Sequence, residues 1–388
     1  MSENALTAAL LPQNNRPLTA RVLWLTNARM IKLRHAVVSS MIFAATVQTS
    51  FSCTRAVLKT DDGTVLTGRS MDWMQDIGNN LWAFPRGMRR DGAAGPKSIV
   101  WESKYGSVIT TIYELAAVDG VNEKGLAANI LYLAESDYGI PGDKPTMCIS
   151  MWGQYALDNF ATVAEAVSAM QGEPFRMIAP TLPNGSPAHG HLSLTDATGD
   201  SAIFEYIGGK LVIHHGPEFT VMTNSPEYSQ QLAINRYWEG VGGTAFLPGT
   251  SRASDRFARA WFGINAIPRK VDPNYIAAVP GQQLALQAVA GVMSVIRSVS
   301  VPLGVSTPGQ PNIASTIWRT VSDSRNLVYY YDSATVPNTF WVELGQLDFG
   351  AGSGAKRLIL TGGKSYAGEV AKSFEPAEPF KPLTAPGT

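Results

Sequence analysis

The sequence predicts an α+β fold in which sheets are stacked and helices pack outside them. Three observations carry this. Strand-like runs cluster at 54–70, 98–131 and 190–222, and again at 315–321, 326–331 and 339–344. Helix-like runs fall between those clusters, at 146–159, 162–170, 226–238, 253–266 and 282–297. No Pro/Ser-rich linker of domain-separating length interrupts residues 53–373, so these elements read as one domain. Strand clusters alternating with helix clusters are the pattern of layered sheet-and-helix architectures.

The first element is a hairpin. Thr54–Lys59 reads as a strand, Asp61-Asp62-Gly63 as its turn, and Thr64–Arg69 as the return strand, ending at Ser70-Met71-Asp72-Trp73. Such a hairpin folds Arg69 and Asp72 back toward residue 53. The apolar run Thr146–Trp152 reads as helix-like, with Cys148 a buried, inert thiol inside it. Ala161–Val167 has helical periodicity, with Thr162 placed to cap it. Ser315–Val321 and Asn326–Tyr331 read as strands joined through Asp323-Ser324-Arg325, and Thr339–Leu344 as a further strand. From Phe374 onward, Pro376, Pro379, Pro382 and Pro386 predict an extended or disordered tail over 374–388.

Composition narrows the function classes. Among 388 residues, 31 Lys+Arg balance 31 Asp+Glu. That excludes the basic surface a nucleic-acid binder needs, and electrostatic attachment to anionic membranes. Two cysteines exclude a disulfide framework and a four-cysteine zinc site. A hydrophobic share of 45% supports a sizeable core. What remains is an enzyme or a small-ligand binder.

The N-terminal region reads as a leader over 1–52. Met30-Ile31-Lys32-Leu33-Arg34-His35 is basic, Ala36–Val47 is mostly apolar, and Ser50-Phe51-Ser52 sets small residues before Cys53. That order is a secretory signal over 30–52, too short to span a bilayer, with either Met1 or Met30 as the start. Cleavage after Ser52 would leave Cys53 first in the mature chain. A cysteine there serves one of two purposes. It can carry a lipid, although Ser50 stands where lipid attachment usually wants Leu. Or it can be an N-terminal nucleophile whose own α-amine acts as base. An Asp beside that amine can orient it, and an Arg beside the thiol favours thiolate. An uncleaved, cytosolic chain would leave Cys53 internal and the amine mechanism impossible.

Four blocks then carry a family resemblance. They are Cys53-Thr54-Arg55 with Gly68-Arg69-Ser70-Met71-Asp72-Trp73, Asp119-Gly120-Val121-Asn122-Glu123-Lys124-Gly125-Leu126, Thr223-Asn224-Ser225-Pro226, and Ser254-Asp255-Arg256-Phe257. In this order they resemble the choloylglycine hydrolases, the bile salt hydrolases and penicillin V acylases, which are N-terminal-nucleophile (Ntn) hydrolases. The resemblance implies an α+β, four-layer αββα sandwich with two antiparallel sheets. It also implies hydrolysis of linear amide C–N bonds without metal or cofactor, a periplasmic or secreted address, and a homotetramer. Residue by residue, Cys53 matches the nucleophile, and Arg69 and Asp72 match the groups touching its thiol and amine. Asn224 matches an oxyanion-binding side chain, and Arg256 a second arginine nearby. Tyr132 stands where bile salt hydrolases usually carry Asn, which resembles the acylases; its backbone N–H is the implied second oxyanion donor. The stretch between Asn224 and Arg256 is shorter than in Gram-positive members, which resembles the Gram-negative branch.

Trp73, Met74, Trp82 and Phe84 are candidates for an apolar acyl pocket. His189-Gly190-His191 alternates so that both imidazoles could face one way, but no HExxH-like carboxylate spacing accompanies them, so they read as structural. The substrate is then a small amide: a conjugated bile salt, penicillin V or an N-acyl homoserine lactone. The reading from another class is an exported, non-catalytic lipoprotein that binds an apolar ligand.

Overall fold

The computed structural model describes residues 52–305 and 314–384. The proposed leader up to Phe51 and the last proline, Pro386, lie outside the described residues. All described residues fall within one unit.

Two large sheets face each other. One has seven strands, in the order Val221–Met222, Thr54–Lys59, Val65–Trp73, Ser315–Asp323, Val328–Ser333, Thr339–Glu343 and Gly368–Glu369. The other has nine, in the order Lys210–His215, Ser201–Ile207, His191–Thr195, Ala127–Leu131, Ala116–Asn122, Ser107–Ile112, Leu81–Phe84, Lys356–Leu358 and Glu375–Pro376. Pairing within them is antiparallel throughout, apart from the edge pair of Thr339–Glu343 with Gly368–Glu369, which is parallel.

Helices Ala253–Ala266 and Leu284–Ser298 cover the outer face of the seven-stranded sheet, and Tyr228–Val241 packs on Ala253–Ala266. Helices Trp152–Asn159 and Val163–Met170 cover the outer face of the nine-stranded sheet. The layers therefore run αββα. Strand alternation explains the stacking, because successive side chains point to opposite faces and both faces here are apolar. One core joins the two sheets to the helices over the seven-stranded sheet; the second lies under Trp152–Asn159. Gly68 makes the first contact close: a Cβ there would stand 2.6 Å from Val292 Cγ1. Only glycine lets helix Leu284–Ser298 settle onto the strand that carries Arg69 and Asp72.

One segment differs from expectation, and of the two forms expected for the tail its described part takes the extended one. Helix Ala253–Ala266 matches its prediction, and Thr162 caps Val163–Met170 by accepting the Glu165 N–H. However, Thr146–Cys148 is a strand, paired in parallel with Arg176–Ile178, and the α-helix begins only at Trp152. A short apolar run reads equally as strand or helix, and here a partner strand decides. The tail is extended and packed: Glu375–Pro376 forms the sheet edge, and Phe380 lies 5.7 Å from the Trp82 ring.

Candidate active site

The first hairpin builds the site. Strands Thr54–Lys59 and Val65–Trp73 pair with Thr54 opposite Ser70. Cys53 thus stands beside the end of the second strand, its Sγ 3.8 Å from Met71 Sδ and 3.9 Å from the Asp72 carbonyl. The residue is 2% exposed. Ser52 is still joined to it, so the Cys53 N–H is a peptide amide, and it donates to Asn224 Oδ1 at 2.6 Å. Burial pushes the Cys53 thiol up, with the Arg69 charge working against it. A buried neutral thiol needs a base before it can attack.

Asp72, whose carbonyl faces the Cys53 thiol, carries a buried carboxyl. Its Oδ1 accepts from the Thr316 hydroxyl at 2.6 Å, and its Oδ2 has no hydrogen-bond partner among the described residues. Burial pushes the carboxyl up to about 6, against the pull of the Arg256 charge and the Thr316 hydroxyl. The pairing of Val65–Trp73 with Ser315–Asp323 shifts register between Thr316 and Trp318, which sets Thr316 opposite Asp72 and Trp318 opposite Met71.

Two arginines lie on either side. Arg256 donates to the Cys53 carbonyl, to the Thr54 hydroxyl at 2.7 Å and to Asn224 Oδ1 at 2.9 Å. It is fully buried, and it fixes both the chain around Cys53 and the Asn224 amide. Arg69 lies over the Trp318 ring at 4.3 Å and donates to the Ile130 carbonyl at 3.1 Å. Its Nε stands 3.9 Å from Asp119 Oδ2. Asn224 Nδ2 donates to the Tyr132 carbonyl at 2.7 Å. An amide nitrogen carries two hydrogens, so the bond to Tyr132 uses one of them.

Cys53, Arg69, Met71, Trp73, Tyr132 and His189 line a mainly apolar cavity of about 70 Å³. Trp73 also borders a larger hollow of about 420 Å³, which Met74 lines and Cys53 does not. Trp82 and Phe84 are not at the site. They alternate with Leu81 and Ala83, so they point to the outer face, where they stack on each other and meet Phe380. Nearness in sequence suggested them; the two-residue period of the strand turns them away.

Two residues of the motif blocks have roles that the sequence did not disclose. Asp119 belongs to strand Ala116–Asn122 and receives hydrogen bonds from Asn129, Tyr329 and Thr320. Arg55, buried, ties the two sheets together by donating to the Phe219 carbonyl, Thr195 and Ser201, and burial brings it down to about 10. The two histidines part company. His191 bridges Glu205 and the Thr223 carbonyl, each at 2.8 Å, and so holds the segment beside Asn224. His189 instead stacks on Tyr132 in the cavity wall. Among the described residues, no group of three or more His, Cys, Asp or Glu could hold a metal.

The sandwich, with a buried cysteine at the mouth of its first hairpin, defines the Ntn-hydrolase fold class. The chain belongs to the choloylglycine hydrolase family of linear amide C–N hydrolases, whose family model matches residues 53–356. It is 45% identical over 372 residues to a penicillin V acylase of Pectobacterium atrosepticum, covering 92% of this chain and 98% of that one. A bile salt hydrolase/transferase of Clostridium perfringens is 29% identical over 195 residues, covering 48% of this chain and 57% of that one. Among solved structures, penicillin V acylase from Agrobacterium tumefaciens superposes with a TM-score of 0.77 at 49% identity, over 86% of this chain and all of that one. A mutant conjugated bile acid hydrolase from Clostridium perfringens shares the fold, with a TM-score of 0.65 at 19% identity, over 82% of this chain and 98% of that one.

Proposed function

We propose that this hydrolase is an acylase of the penicillin V type, with Cys53 as its N-terminal nucleophile. The observation that carries the reading is the buried, unpartnered Oδ2 of Asp72, the residue whose main-chain carbonyl stands 3.9 Å from Cys53 Sγ, because a freed α-ammonium at Cys53 needs such a carboxylate. An α-amine has an ordinary pKa of about 7.7–8.0, close enough to neutrality to accept the thiol proton.

The steps follow from the geometry. Cleavage before Cys53 converts its peptide N–H into an amine. The amine takes the Sγ proton, and the sulfur attacks the acyl carbon. The tetrahedral oxyanion is held by the second Asn224 Nδ2 hydrogen and the Tyr132 backbone N–H. The protonated amine then gives its proton to the departing nitrogen, and the C–N bond breaks. Water, deprotonated by the same amine, hydrolyses the thioester and frees the acid. Arg69 and Arg256 hold the chain and the Asn224 amide in register.

The substrate reading rests on two supports: extensive likeness to proteins named penicillin V acylases, and an apolar cavity at Cys53 bordered by Tyr132. Export through the leader, residence in the periplasm and tetramer assembly belong to the same proposal. Purified protein incubated with penicillin V, glycocholate and an N-acyl homoserine lactone, with the freed amine quantified, tests it. Highest kcat/KM on penicillin V is expected; preference for glycocholate moves the assignment to the bile salt side, and inactivity on all three removes it.

A further inference from the structure

We infer that the C-terminal segment is a strap that forms one wall of the acyl cavity, and that Leu383 sets the size of acyl group the enzyme accepts. The inference rests on the acylase reading above and adds to it a specificity residue.

Leu383 lies 330 positions beyond Cys53 in the numbering, yet both line the same cavity. It is pinned through both of its backbone polar groups. Its N–H donates to the Leu115 carbonyl at 2.8 Å. Its carbonyl accepts from the Ser150 hydroxyl at 2.7 Å and from the Cys148 thiol at 3.1 Å. Upstream, Ala377 N–H donates to the Ala355 carbonyl, and Phe380 packs against Trp82 and Phe84. The tail is thus fastened along the sheet edge and places Leu383 in the cavity wall.

The other walls are of a different kind. Arg69, Ala117 and Ile130 come from strands inside the two sheets, where a shift would break ladder hydrogen bonds. Leu182 belongs to a loop closed on itself, with Leu182 N–H donating to the Ser186 carbonyl. Leu383 belongs to no helix or strand. Size makes the wall matter. The cavity is about 70 Å³, whereas an apolar cavity known to admit a benzene ring measures about 150 Å³. A ring-bearing acyl group needs more room than this space gives, and Leu383 is a wall residue whose side chain can change without disturbing a sheet ladder.

The test compares the wild type with Leu383→Ala, Leu383→Trp and a chain ending after Phe380. Each is assayed on N-acyl amides of one leaving amine, with acetyl, butyryl, phenoxyacetyl and decanoyl groups. Relative to wild type, Leu383→Ala should raise the decanoyl-to-acetyl ratio of kcat/KM by about tenfold or more, and Leu383→Trp should lower it by as much, a few methylenes' worth of fit. Ratios that all stay within about twofold of wild type overturn the inference. A second readout needs no turnover: iodoacetamide labelling followed by peptide mass spectrometry, with circular dichroism to confirm the fold. Cys148, fully buried under the strap, should label in the shortened chain and stay protected in the wild type. Equal protection in both overturns the inference. A wild type inactive on every amide removes the acylase reading, while the labelling arm still decides whether the strap seals the cavity.

Discussion

Asn224 and Cys53 are joined through one side-chain amide that faces two ways: Oδ1 accepts the Cys53 N–H at 2.6 Å, and Nδ2 donates to the Tyr132 carbonyl at 2.7 Å. The same group therefore positions the Cys53 backbone and, under the proposed mechanism, presents a hydrogen to the oxyanion. On that mechanism its replacement removes a transition-state contact. Asn224→Ala should lower kcat by about 10²–10³-fold, corresponding to about 2.7–4 kcal/mol. Steady-state kinetics beside a thermal unfolding scan checks this; a variant within about threefold of wild-type kcat argues against the oxyanion role.

Beneath the nucleophile, Arg69 and Asp119 form a buried pair between the sheets. Burial pushes the Asp119 carboxyl up, and Arg69 pulls it down together with the Tyr329, Asn129 and Thr320 hydrogen bonds. Removing the carboxylate leaves the guanidinium without its counter-charge in a dry site, which typically costs about 3–5 kcal/mol. Asp119→Ala should lose stability on that scale in a denaturant titration. A loss below about 1 kcal/mol would show that the pair is not coupled.

The pH dependence has a definite sign. Under the proposed mechanism Asp72 must be ionised to anchor the amine, and burial raises its carboxyl to about 6 from an ordinary 3.8. Turnover should therefore fall as pH drops through about 6, or somewhat lower once the positive amine stands beside it. The stability term runs the other way. A carboxyl whose folded pKa is raised favours the fold most below 3.8 and loses that contribution as pH rises through about 6. Profiles of kcat/KM and of Tm from about pH 4 to about pH 8 separate the two. An acid limb centred above about pH 7 assigns the limb to another group.

The fold was legible where local signals agree with tertiary contacts. The Asp61-Asp62-Gly63 turn fixes the register that brings Cys53 to Asp72, and the Thr162 cap fixes a helix start. Legibility fails where a distant partner decides. Cys148 lies on a strand because Arg176–Ile178 pairs with it, and Glu375–Pro376 of the proline-rich tail joins a sheet because Lys356–Leu358 offers it an edge. At the site, the four motif blocks mark the residues that converge on Cys53. Thr316 carries no local mark, and neither the motif block that begins at Asp119 nor the His189-Gly190-His191 alternation told what Asp119 and His191 hold, since that comes from what faces them across a sheet. Strand parity alone would have excluded Trp82 and Phe84 once one neighbour's face was known.

The central claim is that catalysis runs through a cysteine made N-terminal, and mass spectrometry of the enzyme caught during turnover tests it most directly. Purified active protein is mixed with penicillin V, quenched in acid and digested. The expected result is a mature chain that begins at Cys53 with a free α-amine, and a phenoxyacetyl mass carried on that residue's sulfur. An active enzyme whose chain still continues through Ser52 into Cys53, or whose acyl group sits on another residue, contradicts it.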